Sequence, residues 1–205
     1  TGNLIDSKGL NNGTVTGAIL TTDRANVSNS AYLFDGNNDY VTLSASGLSI
    51  PYFSYSIWAN ITAPKVYAMP NEFVLFQIGN ESSKNQVLSV SYTPDMGFGP
   101  ERFYLNYSAP GVSHQVLLSN ISFNQWNSFA VTRSESGYKL YFNGQALTTD
   151  IGVISSLLYQ TNPSIVLGKS VDGYISSGDY KGKLDNFQAY KGALTAGQVQ
   201  ALYQN

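Results

Sequence analysis

The stretch WNSFAVTRSESGYKLYFNGQAL, residues 126–147, contains two runs rich in aromatic and β-branched side chains, over 128–132 and 138–142. Asn143-Gly144 follows the second run and leads into a short third run over 145–147. Asn-Gly supplies a positive φ at both central positions of a tight turn, and it is the strongest short-range hairpin signal. The stretch therefore predicts antiparallel strands joined by tight turns.

Similar runs recur along the whole chain, separated by clusters of Gly, Asn, Asp, Ser and Pro. The run FSYSIWA, residues 53–59, alternates with period two, as a half-buried strand should. Its Trp58, like Trp126, has apolar neighbours and is expected in the core. Further strands are predicted over residues 31–34, 40–43, 73–78, 86–92, 102–107, 113–118, 164–167 and 182–190.

The sequence predicts one helix, which opens at Leu194-Thr195 and ends at Asn205. Thr195 is a suitable N-cap, and Val199, Leu202 and Tyr203 share one face at helical spacing. About a dozen strands cannot form one open twisted sheet, so we expect two packed layers. The predicted fold is an all-β, two-layer antiparallel sandwich with one short C-terminal helix, as a single domain over residues 1–205.

The composition excludes several classes of function. The chain has 205 residues, 12% of them charged, with 11 Lys and Arg and a net charge of −2. Neutralising phosphates requires clustered cations, so nucleic acid is not an expected partner. No cysteine is present, which excludes disulfides and thiolate metal sites. No apolar run reaches the roughly 18 residues of a membrane span. We expect an extracellular or cell-surface protein, and the opening Thr1-Gly2-Asn3 is typical of a mature or excised segment.

Several segments together resemble one family, the laminin-G-like jelly rolls of the concanavalin A-like lectin/glucanase superfamily. GNLIDSKG at 2–9 resembles the family's GNAxDxSG entry motif, and YLFDGNNDYV at 32–41 resembles its FDGxxDYV hairpin. The remaining similar segments are FSYSIW at 53–58, WNSFAVTR at 126–133 with KLYFNG at 139–144, and GKLDNFQAY at 182–190 with the helix that follows. The resemblance spans residues 2–203 and implies a jelly-roll ligand-binding domain. The strand that usually precedes the family's Gly-Asn motif is missing, so a larger parent protein with other domains is expected.

Because the superfamily includes glucanases, we considered whether the chain has the catalytic residues of a glycosidase. Glycoside hydrolysis needs two carboxylates about 5–10 Å apart. The four glutamates, at positions 72, 81, 101 and 135, are isolated, and the glucanase motif is absent. His114 is the single histidine, which excludes two-histidine mechanisms. We therefore predict no catalytic residues.

The resemblance also implies a structural calcium ion. It places the Gly36 carbonyl and the Asp185 carboxylate at the ion, with Asp35 or Asp39 as possible helpers. The family's remaining ligand comes from the missing N-terminal strand. The alternative is that Asp35 and Asp39 accept hydrogen bonds from turn amides while Asp185 pairs with a lysine. Both readings stay open at this point.

Sugar recognition combines an apolar platform with a few fixed polar groups. The best candidate is the segment from Thr93 to His114, and the loop from Lys169 to Lys181 is expected to close over the same groove. Arg102, Tyr104 and Asn106 share one face of a strand, which is predicted to be the concave, solvent side. The predicted ligand-binding residues are Asp95, Phe98, Arg102, Tyr104, Asn106, His114, Tyr174 and Asp179.

Three readings of the function remain. The first is a lectin-like carbohydrate-binding module, the second is a protein-interaction or adhesion module, and the third is a structural spacer without a ligand. Six Asn-X-Ser/Thr sequons begin at positions 12, 26, 60, 80, 106 and 120, and chance accounts for most of them in a chain so rich in these residues.

Overall fold

The computed structural model describes residues 4–9, 11–45, 51–62, 72–79, 88–93, 102–107, 112–117, 121–147, 164–170 and 177–205, a few of them by backbone alone. The elements are β1 (Gly13–Thr16), β2 (Ile19–Thr21), β3 (Ala31–Asp35), β4 (Tyr40–Ser44), β5 (Phe53–Ile61), β6 (Glu72–Gly79), β7 (Leu88–Thr93), β8 (Arg102–Tyr107), β9 (Val112–Leu117), β10 (Trp126–Ser134), β11 (Gly137–Phe142), β12 (Gln145–Ala146), β13 (Ser164–Leu167), β14 (Ser177–Gly178), β15 (Lys181–Lys191) and α1 (Ala196–Gln204).

The strands form two sheets, as the alternating runs predict. Sheet A has the order β1-β4-β13-β6-β7-β8-β9, with β14 added beside β6. Sheet B has the order β12-β11-β10-β5-β15-β3-β2. Within the described residues every pairing is antiparallel except the short contact of β14 with β6. The predicted jelly-roll sandwich is confirmed.

The core lies between the two sheets and is formed by alternate residues of each strand. In sheet B, Ile57 of β5 pairs with Phe129 of β10, and both side chains are buried. In sheet A, Val90 of β7 pairs with Leu105 of β8, and both are equally buried. Burying one such side chain contributes about 1.5–3 kcal/mol. Repeated across both sheets, this inward set holds the layers together.

Helix α1 covers part of the outer face of sheet B. It begins after Thr195, whose hydroxyl accepts the N–H of Gln198, while the Gln198 side chain accepts the N–H of Thr195. This capping box confirms the predicted start of the helix. On the buried side, Val199 packs against Ala130 and Tyr141 of sheet B.

Trp58 is buried, but it does not lie in the core between the sheets. Tyr203 of α1 stacks on its indole with centroids 5.5 Å apart and planes inclined by 14°. The Arg24 guanidinium lies 4.5 Å from the centre of the same ring. Trp58 pairs with Ser128 and Asp185, and it belongs to the outward set of β5. The expected core position of Trp58 is therefore corrected, as is that of Trp126, which is half-buried.

Candidate functional site

The outer face of sheet A carries a set of polar side chains. Gln77 of β6 pairs with Ser89 of β7, and Ser91 of β7 pairs with Tyr104 of β8. These residues alternate with core residues such as Val90, so they point away from sheet B. Gln77 and both serines are almost completely buried, whereas Tyr104 is half-exposed. The centre of this face, here called the polar centre, thus carries these buried polar groups beside the buried Val166 and is closed to solvent, whereas its margins are accessible.

One margin of this face is built by the turn between β3 and β4. Gly36 and Asn38 adopt positive φ values of 88° and 60°, which the DGNND sequence tolerates because glycine and asparagine accept that conformation. The turn directs the Asn38 amide at Lys169, whose Nζ donates to Asn38 Oδ1 over 2.8 Å. The same Nζ lies 5.4 Å from the centre of the Tyr40 ring. Within the described residues, Lys169 contacts no carboxylate.

Asp179 completes this margin. Its Oδ2 accepts the backbone N–H of Asn38 over 2.6 Å, and within the described part of the chain its Oδ1 has no protein partner. The segment is fixed because the N–H of Tyr180 donates to the carbonyl of Gly168. We call Asn38, Tyr40, Lys169 and Asp179 the rim cluster. It brings together an aromatic ring, an ammonium, an amide and a carboxylate.

Tyr104 lies on the same outer face of sheet A as Tyr40 and at a similar level along the strands. Tyr40 lies one residue beyond the pair of Val41 with Leu167, which puts it opposite Gly168. Gly168 in turn donates its N–H to the Leu75 carbonyl, and the next row along the sheet runs from Val74 through Ser91 to Tyr104. Four strand spacings separate β4 from β8 in sheet A, or about 19 Å. The two tyrosines therefore stand on either side of the polar centre.

The other predicted ligand-binding residues are distributed unevenly. Arg102 and Asn106 alternate with core residues in the same strand as Tyr104. His114 of β9 pairs with the core residue Leu105, whereas the partner of Tyr104 in β9 is Gln115. His114 therefore lies in the row of the sheet next to that of Tyr104, and its role in ligand binding stays a prediction. Three predicted residues, Asp95, Phe98 and Tyr174, lie outside the described residues.

The structure does not bring the predicted calcium ligands together. The carboxylate of Asp39 accepts the N–H of Asp35, and that of Asp35 accepts the N–H of Asn37, so both serve the turn that contains Gly36. Asp35 pairs with Lys181 at one end of β15, while Asp185 lies four residues further along that strand, or about 13 Å away. Among the described residues, no group of three or more His, Cys, Asp or Glu side chains is arranged to hold a metal ion. The four residues do not fit as ligands of one ion.

Asp185 instead belongs to the region around Trp58. Burial raises the pKa of its carboxyl group, and the Asp23 carboxylate raises it further. The backbone N–H of Asn186 and the Arg24 guanidinium act in the opposite direction and lower that pKa. Asp185 pairs with Trp58, and the Arg24 guanidinium lies over the Trp58 ring, so this cation lies in the same region as the Asp185 carboxylate.

Asn38, Tyr40 and Lys169 were not among the predicted site residues. Asn38 and Tyr40 belong to the segment DGNNDYV, which was interpreted as a structural hairpin and a source of calcium ligands. Lys169 was noted only as the start of a loop. The signal available in the sequence was the turn DGNND, which favours an asparagine of positive φ, followed directly by a tyrosine at the start of a predicted strand.

Comparison with known proteins agrees with this architecture. A sequence model of laminin-G-like domains, described as "Concanavalin A-like lectin/glucanases superfamily", matches residues 35–200. The chain belongs to the concanavalin A-like lectin/glucanase superfamily. The sequences of characterised proteins give no match.

Solved structures of several other proteins share the fold at low sequence identity. Domain 4 of AbnA, a GH43 extracellular arabinanase from Geobacillus stearothermophilus, solved in complex with arabinotriose, has a TM-score of 0.72 and 22% identity. That match covers 98% of this chain and 93% of the arabinanase domain. The botulinum neurotoxin serotype D binding domain has a TM-score of 0.68 and 16% identity over 98% of this chain, which spans 48% of the toxin domain. A SAP-like pentraxin from Limulus polyphemus has a TM-score of 0.57 and 18% identity over 75% of this chain and 70% of the pentraxin.

Among the described residues, no helix combines the length and the apolar character that a membrane crossing needs.

Proposed function

We propose that this superfamily member is a non-catalytic carbohydrate-binding module of a secreted or cell-surface protein, and that the rim cluster holds the sugar. The observation that carries the proposal is that three different groups meet at Asn38. The Lys169 ammonium binds its side-chain oxygen and lies over the Tyr40 ring, while the Asp179 carboxylate accepts its backbone N–H. A sugar ring offers an apolar face and hydroxyls that both donate and accept. An aromatic ring beside one donor and one acceptor matches both properties.

The hydrogen bonds within the rim cluster leave binding capacity free. Lys169 uses one of its three N–H groups on Asn38, and within the described residues Asp179 keeps Oδ1 uncommitted. A cation and a carboxylate held near each other can donate to one hydroxyl and accept from its neighbour. Asn38 is held by hydrogen bonds to both Lys169 and Asp179, so little conformational entropy is lost when a ligand binds.

The arabinanase domain supports the choice of a first ligand. It shares the fold of this chain and was solved in complex with arabinotriose. Arabino-oligosaccharides are therefore the first probes, followed by a glycan array for other sugars. We infer that the ligand is neutral, because the rim cluster contains both a cation and an anion. Binding of a neutral sugar should depend little on ionic strength.

The test is titration calorimetry with the best array ligand. Tyr40→Ala should weaken binding about tenfold or more, equivalent to about 1.4 kcal/mol, because it removes the apolar platform. Lys169→Ala should weaken it by a smaller factor. The matched controls are Tyr52→Ala, an exposed tyrosine of the β4–β5 connection, and Lys191→Ala at the far end of β15. Equal losses in the controls, or no array ligand at all, would remove the proposal in favour of a protein-interaction module.

A further inference from the structure

Exposed apolar side chains are concentrated on one side of the sandwich. Of the six large hydrophobic residues that are exposed in the described part of the chain, five fall within the first 27 residues. They are Ile5, Val15, Ile19, Leu20 and Val27, with exposed fractions between 38% and 65%. Because β1 and β2 are the edge strands of their sheets, this is also where backbone groups can pair with another chain. An apolar sheet edge promotes association unless something covers it.

Two of the six sequons lie on this same side. Asn12 directly precedes β1, and Asn26 lies in the loop between β2 and β3. Both asparagines are exposed. By contrast, Asn60 is half-buried in β5, between two neighbouring strands, and Asn106 lies within β8. The sequons at 80 and 120 lie outside the described residues.

The side-chain nitrogens of Asn12 and Asn26 are free to react. Asn12 uses only Oδ1, which accepts the N–H of Asp6 over 3.1 Å, and Nδ2 has no partner in the described part of the chain. Asn26 adopts a φ of 60° in a turn that Asp23 closes by accepting the N–H groups of Ala25 and Val27. Its own side chain makes no hydrogen bond with any described residue. Both Nδ2 atoms therefore face solvent.

Both sequons also lie away from the rim cluster. A two-residue connection joins β1 to β2, so the start of β1 and the end of β2 are at the same end of this edge. At the other end, Thr16 of β1 pairs with Tyr40, whereas Gly13 pairs with Leu43. A bulky group on Asn12 or Asn26 would thus stand next to Val27 and Ile5 and leave Tyr40 accessible.

We propose that Asn12 and Asn26 are N-glycosylation sites and that the attached glycans cover the apolar edge formed by β1 and β2. In the transfer, Nδ2 bonds to the anomeric carbon of an oligosaccharide activated on a phosphate-linked lipid carrier. The carrier phosphate leaves with the bonding electrons, and Nδ2 loses one proton. The glycan adds a large, hydrated and uncharged surface, which suits a chain with few charged residues.

Peptide mass mapping of the protein purified from the cells that naturally produce it tests the sites. Digestion with trypsin and chymotrypsin should give peptides in which Asn12 and Asn26 carry a glycan mass and Asn60 does not. If either Asn12 or Asn26 is unmodified throughout, the proposal fails. Because no sugar-binding measurement is involved, failure here leaves the proposed function intact.

Variants at the hydroxyl position of the second sequon provide a matched pair. In the same cells, Ser28→Ala should abolish the glycan on Asn26, whereas Ser28→Thr should keep it. Combined with Asn12→Gln, Ser28→Ala should also shift the protein from monomer to larger species in light scattering, while Ser28→Thr alone stays monomeric. If the double variant without glycans remains monomeric, the proposal that the glycans cover the apolar edge is wrong.

Discussion

The outer faces of the two sheets have the same alternating pattern but are used differently. On sheet B, Trp58 is covered by Tyr203 of the C-terminal helix and by the Arg24 guanidinium. On sheet A, Tyr40 and Tyr104 remain half-exposed on either side of a polar centre. An outward aromatic is thus a structural residue where a helix covers it and a candidate ligand contact where its neighbours are Lys169 and Asp179. The surroundings of each ring decide its role, and its position in the strand does not.

Truncating Trp58 should have the largest effect on stability. Trp58→Ala removes the contacts with Tyr203 and Arg24, and we expect it to lower the free energy of unfolding by about 3–5 kcal/mol. Trp58→Phe keeps an aromatic ring and should cost less. Urea unfolding measures both. Neither variant should change the affinity for sugar of the folded protein, and a loss of binding with Trp58→Phe would contradict the division between the two faces.

Adding a side chain at Gly168, the residue before Lys169 of the rim cluster, should lower stability through a clash with the core. Gly168 has a φ of +83°, and a Cβ there would lie 2.6 Å from the Phe34 ring. We expect Gly168→Ala to lower the free energy of unfolding by about 2–3 kcal/mol, through backbone strain and overpacking. Gly197→Ala in α1 is the matched control, since its Cβ meets no atom within 4 Å, and it should be neutral or stabilising. Chemical denaturation of the two variants in parallel gives the comparison.

Tyr180 anchors Asp179 from the core side, and it predicts a loss of stability at alkaline pH. Burial raises the pKa of Tyr180, as it does for Tyr55, so the folded state keeps these protons after the unfolded state has lost them. This contribution to stability is complete below the unfolded pKa of about 10 and is lost as pH rises above it. Tyr180→Phe should therefore flatten the decline above about pH 10, with a remaining slope to which Tyr55 and Tyr190 contribute, because burial raises the pKa of both. If stability declines with pH as steeply in Tyr180→Phe as in the unmodified protein, the hydroxyl of Tyr180 is not buried from solvent as described.

The same variant has a smaller effect at neutral pH. The Tyr180 hydroxyl lies 3.1 Å from the Lys183 carbonyl oxygen and 3.2 Å from that of Asn60. Losing this interaction should cost about 1 kcal/mol in the free energy of unfolding.

Chelation should have the smallest effect. The carboxylates of Asp35 and Asp39 accept turn amides, and Asp185 lies near Arg24 instead. We therefore expect EDTA to leave the melting temperature unchanged, because only an ion bound to the folded state adds stability. A melting temperature that falls with EDTA and recovers with calcium would show that an ion is bound after all.

The strands with strong internal patterns could be predicted from the sequence. Residues 53–59 and 182–190 were predicted and lie within β5 and β15. In residues 53–57 apolar side chains alternate with serines, which is the pattern of a strand. β1 and β2 were missed. Their side chains are mostly exposed on both sides, so GTVT and ILT show no such contrast. Edge strands receive less burial and therefore leave a weaker pattern.

The site was harder to predict, because it depends on pairing between distant segments. Tyr104 could be assigned to the outward side of its strand from alternation alone. The pairing of His114 with Leu105 depends on the register between β8 and β9, which single-strand alternation does not contain. The rim cluster joins Asn38 to Asp179 across 141 positions of sequence. Only the sheet topology brings those residues together.

The most direct test of the central claim is to map the bound oligosaccharide on the folded protein by NMR. Titration of the best array ligand into isotopically labelled protein should shift the backbone amide signals of Asn38, Lys169 and Asp179. The indole N–H signal of Trp58 and the amides of α1 should stay in place. Shifts confined to Trp58 and α1, with an unperturbed rim cluster, would contradict the account.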